Sequence, residues 1–295
     1  MKRTILPIDR ITGVVLASIS AACFGTLGIL GRFAYNDGLD ANTMLLLRFS
    51  FATLIMAVIM ILRKERLPAG STLFKLIGMG AIGYTFQGLC YLMAVKYASP
   101  GLVALLLYLY PVLVAGLSVL LLKESLGKVK IIALLLALTG TALTVNPQGG
   151  QLLGALYAIG AAIIYSLYII VGTNVMRSVS VFQSSTVIFA SASVSIGFIT
   201  MLNRGPKMPQ SSLGWLAILG IVVVSTIIPV ITFLASLQRI GPTNTSMLST
   251  LEPVVTVLLA ALLLGETLTL ISLAGGALIL TSTLILTASE IRQRK

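Results

Sequence analysis

The chain carries a second copy of part of itself. Pro100, Pro111-Val112, Leu120-Leu121-Leu122, Glu124 and Leu126 return as Pro242, Pro253-Val254, Leu262-Leu263-Leu264, Glu266 and Leu268, each at an offset of 142 and with no gap. A looser echo opens the same units: Gly13, Ala17, Ala21, Phe24 and Gly31 answer to Gly154, Ala158, Ala162, Tyr165 and Gly172 at an offset of 141. A 295-residue chain with this internal self-similarity reads as a duplicated unit. The two copies are expected to occupy 1–147 and 148–295.

What each copy folds into follows from its polarity. Only 9% of the residues are charged and 57% are apolar, against the ~25% charged that covers a soluble domain. Ten apolar runs recur with short breaks: Ile11–Leu30, Met44–Leu62, Leu73–Val95, Gly101–Leu122, Ile131–Val145, Leu152–Val171, Val181–Leu202, Leu213–Leu237, Thr245–Leu264 and Leu268–Thr287. Most approach the ~20 residues a helix needs to cross the hydrocarbon core. The expectation is an all-α membrane protein with five transmembrane helices per copy. The first run reads as a span and not as a cleaved signal peptide. Cys23 and Cys90 both fall inside apolar runs, so no disulfide framework is expected.

An odd number of helices per copy has a consequence. The second copy must enter the bilayer from the opposite side, which makes an inverted repeat, the arrangement of many secondary transporters with a site near the midplane. Of the 20 Lys and Arg residues, 15 fall on one side of this topology. The positive-inside rule then puts both termini in the cytoplasm of a cell-membrane protein. The formal charge of +12 is scattered over the loops, so it fits headgroup attraction and not nucleic-acid binding.

The chain has no histidine and only eight acids. That disfavours zinc peptidases, Ser–His hydrolases and most metal sites. No phosphate-binding Gly-x4-Gly-Lys loop is present. Neither an enzyme nor a cofactor or metal is expected.

The ionisable groups at depth are few. Glu252 lies ten residues beyond Pro242, or ~15 Å along a helix, near the middle of a ~30 Å core. A carboxylate there costs at least a few kcal/mol, so it faces a wet cavity, where it meets a substrate ammonium or carries a proton, or it is a protonated group in an interhelical hydrogen bond. Arg48 sits several residues into the second helix. It either pairs with Asp40 eight residues earlier or anchors a substrate carboxylate. Tyr84, Gln87 and Tyr91 share one face by their spacing of 3 and 4, and Tyr108, Tyr110, Tyr165 and Tyr168 also lie inside apolar runs. Together they are candidates for the wall of a polar cavity, with ordinary helix packing as the competing explanation. Pro111, Pro253 and Pro229 are candidate hinges, because a mid-helix proline frees backbone carbonyls. Glu124 and Glu266 read as matched boundary residues at the ends of helices 4 and 9. The small-residue segment Ala274-Gly275-Gly276-Ala277 is expected to pack against helix 9 of its own chain or against a second copy, as a monomer or homodimer.

Several of these motifs together resemble the EamA-type branch of the drug/metabolite transporter superfamily. They are Pro-x10-Pro-x12-Glu in each half, Arg48-Phe49-x2-Ala52, Leu251-Glu252-Pro253, and Phe24-Gly25 followed by Arg32. The chain departs from that pattern in having Phe24 where the family commonly has Trp. The resemblance implies a ten-helix carrier of two inverted five-helix units with a central cavity and peripheral helices 5 and 10. It also implies a small-molecule substrate, an amino acid or similar metabolite, often moved outward. The alternatives are an exporter of quaternary amines or cationic drugs on the same fold, and a non-transporting structural or lipid-handling subunit.

Overall fold

The computed structural model describes residues 7–98, 100–144, 151–203, 205–265 and 267–292. The repeat boundary near 147, and Glu266, lie outside them. Among the described residues the secondary structure is helical, with no β-strand. In the first copy α1 (Pro7–Gly25) and α2 (Leu27–Asn36) form one rod broken at Thr26, followed by α3 (Ala41–Leu62). Next come α4 (Gly70–Gly78) and α5 (Thr85–Tyr97), joined by a π turn at Met79–Tyr84. The copy closes with α6 (Pro100–Leu107), α7 (Tyr110–Leu122) and α8 (Lys128–Thr144). The second copy runs α9 (Leu152–Val175), α10 (Val181–Leu202) and α11 (Ser212–Val222), a π turn at Val223–Ile227, then α12 (Ile228–Leu248). A 3-10 turn at Ser249–Leu251 leads into α13 (Glu252–Leu264), and α14 (Leu270–Arg292) ends the chain.

Among the described residues, eight helical stretches are long and apolar enough to cross a bilayer. One of these, Ser212–Leu264, has 53 residues, roughly 80 Å of helix against a ~30 Å core. Gly241 interrupts it with φ 77° and ψ 175°, a conformation that only glycine adopts cheaply. The apolar runs expected at Leu213–Leu237 and Thr245–Leu264 are therefore continuous apart from that corner. Helix α8, at 17 residues, sits at the short end of the spanning range.

The breaks recur at repeat-equivalent places. Both copies carry a π turn, and in each a threonine hydroxyl donates to the carbonyl five residues back: Thr85 to Gly80 at 3.4 Å and Thr226 to Ile221 at 2.7 Å. Helices α7 and α13 end on left-handed residues, Lys123 (φ 56°) and Gly265 (φ 69°). The packing repeats too. Helix α1 packs on α12 and α9 on α5, while α3 packs on α10 and α8 on α14. The last contact is glycine-mediated: a Cβ on Gly140 would come within 2.6 Å of the Gly275 carbonyl oxygen. Gly275 thus faces α8, and only Gly276 turns towards α13, where Val254 lies 3.9 Å away. The main partner of the small-residue segment is α8, because close backbone approach needs a glycine on both helices.

Three acids tie the copies together at helix starts. Asp37 accepts from the N–H groups of Gln210 (2.8 Å) and Ser211 (3.2 Å) at the start of α11. Glu65 accepts from the hydroxyl of Ser180, the N-cap of α10, and from Arg63 Nε at 2.9 Å. Glu124 accepts from Thr243 Oγ1 at 2.7 Å, just past the Gly241 corner. An acid at a helix N-terminus satisfies orphan N–H groups and meets the positive end of the dipole. Glu124, expected only to mark a helix boundary, clamps the two copies at one face.

Hydrogen bonds from Ser211 and Gln210 hold the Asp37 carboxyl below the usual carboxylate range. A group whose pKa falls on folding stabilises the native state above its unfolded pKa, and that contribution is lost as pH drops through the native value. Asp37→Asn should therefore lower the thermal midpoint in detergent at pH 7. The deficit should shrink as the pH is taken below ~4, which melting curves across that range will read.

Candidate functional site

The helix breaks converge on one cavity of about 410 Å³. Helix α1 stops at Gly25, where a side chain would meet the Glu252 carbonyl oxygen at 2.9 Å and Val255 Cβ at 2.9 Å. The bare glycine lets α1 rest on the first turn of α13. Thr256 Oγ1 then donates to the carbonyls of both Gly25 and Glu252 at 3.0 Å. The Phe24-Gly25 motif thus fixes Glu252 in place. Beyond the break, α2 turns Leu27, Gly28 and Gly31 to the cavity.

Pro111, Pro229 and Pro253 sit in the first turns of α7, α12 and α13, and the residues Leu109, Ile227 and Leu251 just before those helices keep right-handed helical backbone angles. A proline ring clashes with the carbonyl four residues back and lacks an N–H, so the hydrogen-bond ladder opens locally while the rod runs on. Glu252 is the first residue of α13, beside a 3-10 turn within the long Ser212–Leu264 stretch.

Eight of the nine candidate site residues line this cavity: Arg48, Tyr84, Gln87, Tyr91, Tyr108, Tyr110, Tyr165 and Glu252. Tyr168 does not. It stands behind the wall, edge-on to Tyr84 with centroids 5.2 Å apart and stacked on Tyr165 at 6.0 Å. The rings are linked: Tyr165 meets Tyr110 at 4.8 Å and Phe233 at 6.4 Å, and Phe49 bridges Tyr84 at 5.3 Å and Phe189 at 6.2 Å. Phe49, Tyr84, Tyr110 and Tyr165 of this aromatic layer line the cavity. The lining also includes Tyr35 and Ala41 at the α2–α3 corner, near Asp37 in the chain, and Tyr35 is 47% exposed.

Arg48 is 6% exposed and does not pair with Asp40, which instead caps α3 by accepting from the Thr43 N–H at 2.8 Å. An acid in the N-cap position satisfies an orphan donor, worth ~1 kcal/mol, and is not free for an arginine two turns on. Arg48 reaches the second copy: Nε donates to Thr226 Oγ1 at 2.6 Å and Nη2 to the Ser225 carbonyl at 3.3 Å. Among the described residues it has no carboxylate within ion-pair distance. One cation and one acid thus share a chamber of tyrosines without neutralising each other by direct contact.

Phe24, Leu27, Gly28, Gly31, Tyr35, Met44 and Thr256 also line the cavity, although the sequence motifs do not single them out as lining residues. The spacing Gly25-x2-Gly28-x2-Gly31 held a usable signal, since glycines three apart share a helix face. No such signal marks Thr256. Among the described residues no cluster of three or more Cys, Asp or Glu is placed to hold a metal ion, and Cys23 and Cys90 are free thiols. Neither α8 nor α14 contributes to the cavity wall.

A multi-pass helical membrane protein with an internal cavity that holds one cation and one acid fits a transporter, and the comparisons agree. Residues 11–146 and 152–288 each match the EamA-like transporter family. The chain belongs to that family, within the drug/metabolite transporter superfamily. It is 23% identical over 282 residues to the uncharacterized transporter YcbK of Bacillus subtilis, covering 90% of both chains. It is 24% identical over 302 residues to the uncharacterized inner membrane transporter YicL of Salmonella typhimurium, covering 96% of this chain and 97% of that one. A solved crystal structure superposes with a TM-score of 0.81 at 19% identity, over 97% of this chain and all of the other. That likeness concerns the fold.

The aromatic layer makes a stability prediction. Tyr165→Phe keeps the ring contacts with Tyr110, Tyr168 and Phe233 and should melt close to wild type. Tyr165→Ala should lose about 3 kcal/mol, the range for removing a packed ring. Thermal unfolding of both purified variants checks this.

Proposed function

We propose that this transporter is a secondary carrier of the cytoplasmic membrane that moves small zwitterionic metabolites, amino acids foremost, by alternating access. The observation that carries the reading is the pairing of Arg48 and Glu252 in one tyrosine-walled cavity. A carboxylate finds a fixed cation and an ammonium finds a fixed acid, while the rings accept the apolar part of the ligand. The same Glu252 is placed to carry a coupling proton. About 410 Å³ lies within the usual range for a small-molecule site.

In this reading the chain crosses ten times, as two inverted five-helix units at 1–147 and 148–295 with both termini in the cytoplasm. Support comes from contacts between loops. The corner at Asp37 meets Gln210 and Ser211, and the Gln151 N–H donates to the Tyr97 carbonyl at 2.9 Å. Glu65 meets Ser180, and Glu124 meets Thr243. Ten alternating crossings put each of these pairs on a common face, the first two on one side and the last two on the other. The carrier works as a monomer or homodimer, with neither cofactor nor nucleic acid.

The fixed cation weighs against the alternative of a quaternary amine or drug exporter, which Arg48 would repel. Counterflow in proteoliposomes of the purified protein, loaded with unlabelled amino acids and chased with labelled ones, tests the proposal. Saturable exchange is expected, with a loss of at least ~10-fold in Glu252→Gln, the cost of about one charge-assisted hydrogen bond. Full exchange in that variant would remove Glu252 from the site. Exchange of permanent cations in preference to amino acids would favour the drug-exporter alternative, and no flux at all would favour the structural subunit.

A further inference from the structure

The duplication provides an internal control on Arg48. Helices α3 and α10 are both 22 residues long, with caps at Asp40 and Ser180. Their shared offset of 140 makes Ile188 the counterpart of Arg48. Both residues meet the π turn of the other copy. At the first π turn, Gly80 leaves room for the α10 backbone, and an added Cβ would clash with the Ile188 carbonyl. Ile188 is fully buried there. At the second π turn the same joint is made by the Arg48 side chain on Thr226 and Ser225. The fold therefore builds this joint without a charge in one copy. It buries an arginine within an apolar helix, a costly placement, only in the copy whose joint opens on the cavity.

The hydrogen bonds show what that burial secures. Thr226 donates its own hydrogen to the Ile221 carbonyl at 2.7 Å, which leaves its oxygen oriented to accept from Arg48 Nε. The Ser225 carbonyl takes one Nη2 hydrogen. The Ser225 hydroxyl in turn bonds Thr26 Oγ1 at 2.7 Å, at the α1–α2 break. Of the five N–H donors of a guanidinium, two are held and three remain for a ligand. A planar fork pinned along one edge presents the other edge for a bidentate oxyanion.

We infer that Thr226, on the second-copy π turn, is the positioning residue of a carboxylate subsite in which Arg48 is the contact residue. This rests on the zwitterion reading above for the ammonium end of the ligand only. The anion end stands on the Arg48–Thr226 geometry alone. Because the π turn belongs to the helix pair α11–α12, carboxylate binding is tied directly to the second copy.

Three isosteric probes separate the ends: L-phenylalanine, 3-phenylpropionate, which lacks the ammonium, and phenethylamine, which lacks the carboxylate. Calorimetric titration of the purified protein measures each against wild type, Thr226→Val, Thr226→Ser and Arg48→Lys. Thr226→Val should weaken the two carboxylate probes about tenfold and leave phenethylamine within about twofold. Thr226→Ser, which keeps the hydroxyl, should restore them. Arg48→Lys keeps the charge without the fork and should repeat the selective loss. Equal weakening of all three probes in Thr226→Val would make the contact merely structural and overturn the inference, as would no weakening, or wild type binding neither carboxylate probe. Failure of the transport reading looks different: 3-phenylpropionate binds with the expected Thr226 dependence, yet no amino acid exchanges across the membrane.

Discussion

In hydrocarbon no water stands ready to take a backbone N–H or carbonyl, so every interruption of a helix must be answered from within the protein. The rest of the structure depends on how this chain answers its interruptions. The prolines at 111, 229 and 253 open the hydrogen-bond ladder within long apolar helices, and the π turns release further carbonyls. Partners come from the opposite copy. Arg48 serves Ser225, Ser20 Oγ donates to the Pro229 carbonyl at 2.8 Å, and Thr256 serves Gly25. Two of the side chains that satisfy those groups, Arg48 and Thr256, also line the cavity.

The two copies share a frame but not a chemistry. Their breaks, left-handed caps and threonine bonds across five residues recur, and so do their packing pairs. The contents differ at matched positions. Tyr110 stands opposite Glu252 by the offset of 142, and Arg48 opposite Ile188. One copy thus supplies the cation and most of the cavity wall. The other supplies the acid, the Arg48 socket and, through Tyr165, Tyr168, Phe189 and Phe233, much of the aromatic layer beside the cavity.

Much of this was legible in the residues. The constant offset in helices 4 and 9 revealed the duplication, and depth along an apolar run singled out Glu252. Spacing put Tyr84, Gln87 and Tyr91 on one face, where the cavity lies. What stayed hidden depended on contacts between distant segments. Nothing near Arg48 in the chain announces Thr226, 178 residues away, and Asp40 is the nearer acid until its role as a helix cap is visible. The role of Glu124 as a clamp depends on the Gly241 corner, and the lining role of Thr256 on its bonds to Gly25 and Glu252.

In the proposed carrier, Arg48 and Glu252 face a chamber that water and ligand enter from the membrane faces. Thr256 lines that chamber, so Thr256→Cys, with Cys23 and Cys90 replaced by Ala, reports on it directly. A membrane-impermeant thiol reagent is applied to each face of oriented vesicles in turn. Modification is expected from the face bearing Asp37, then from the opposite face as the carrier cycles, with protection by an exchanged amino acid. A folded variant whose introduced thiol resists the reagent from both faces would contradict the proposal.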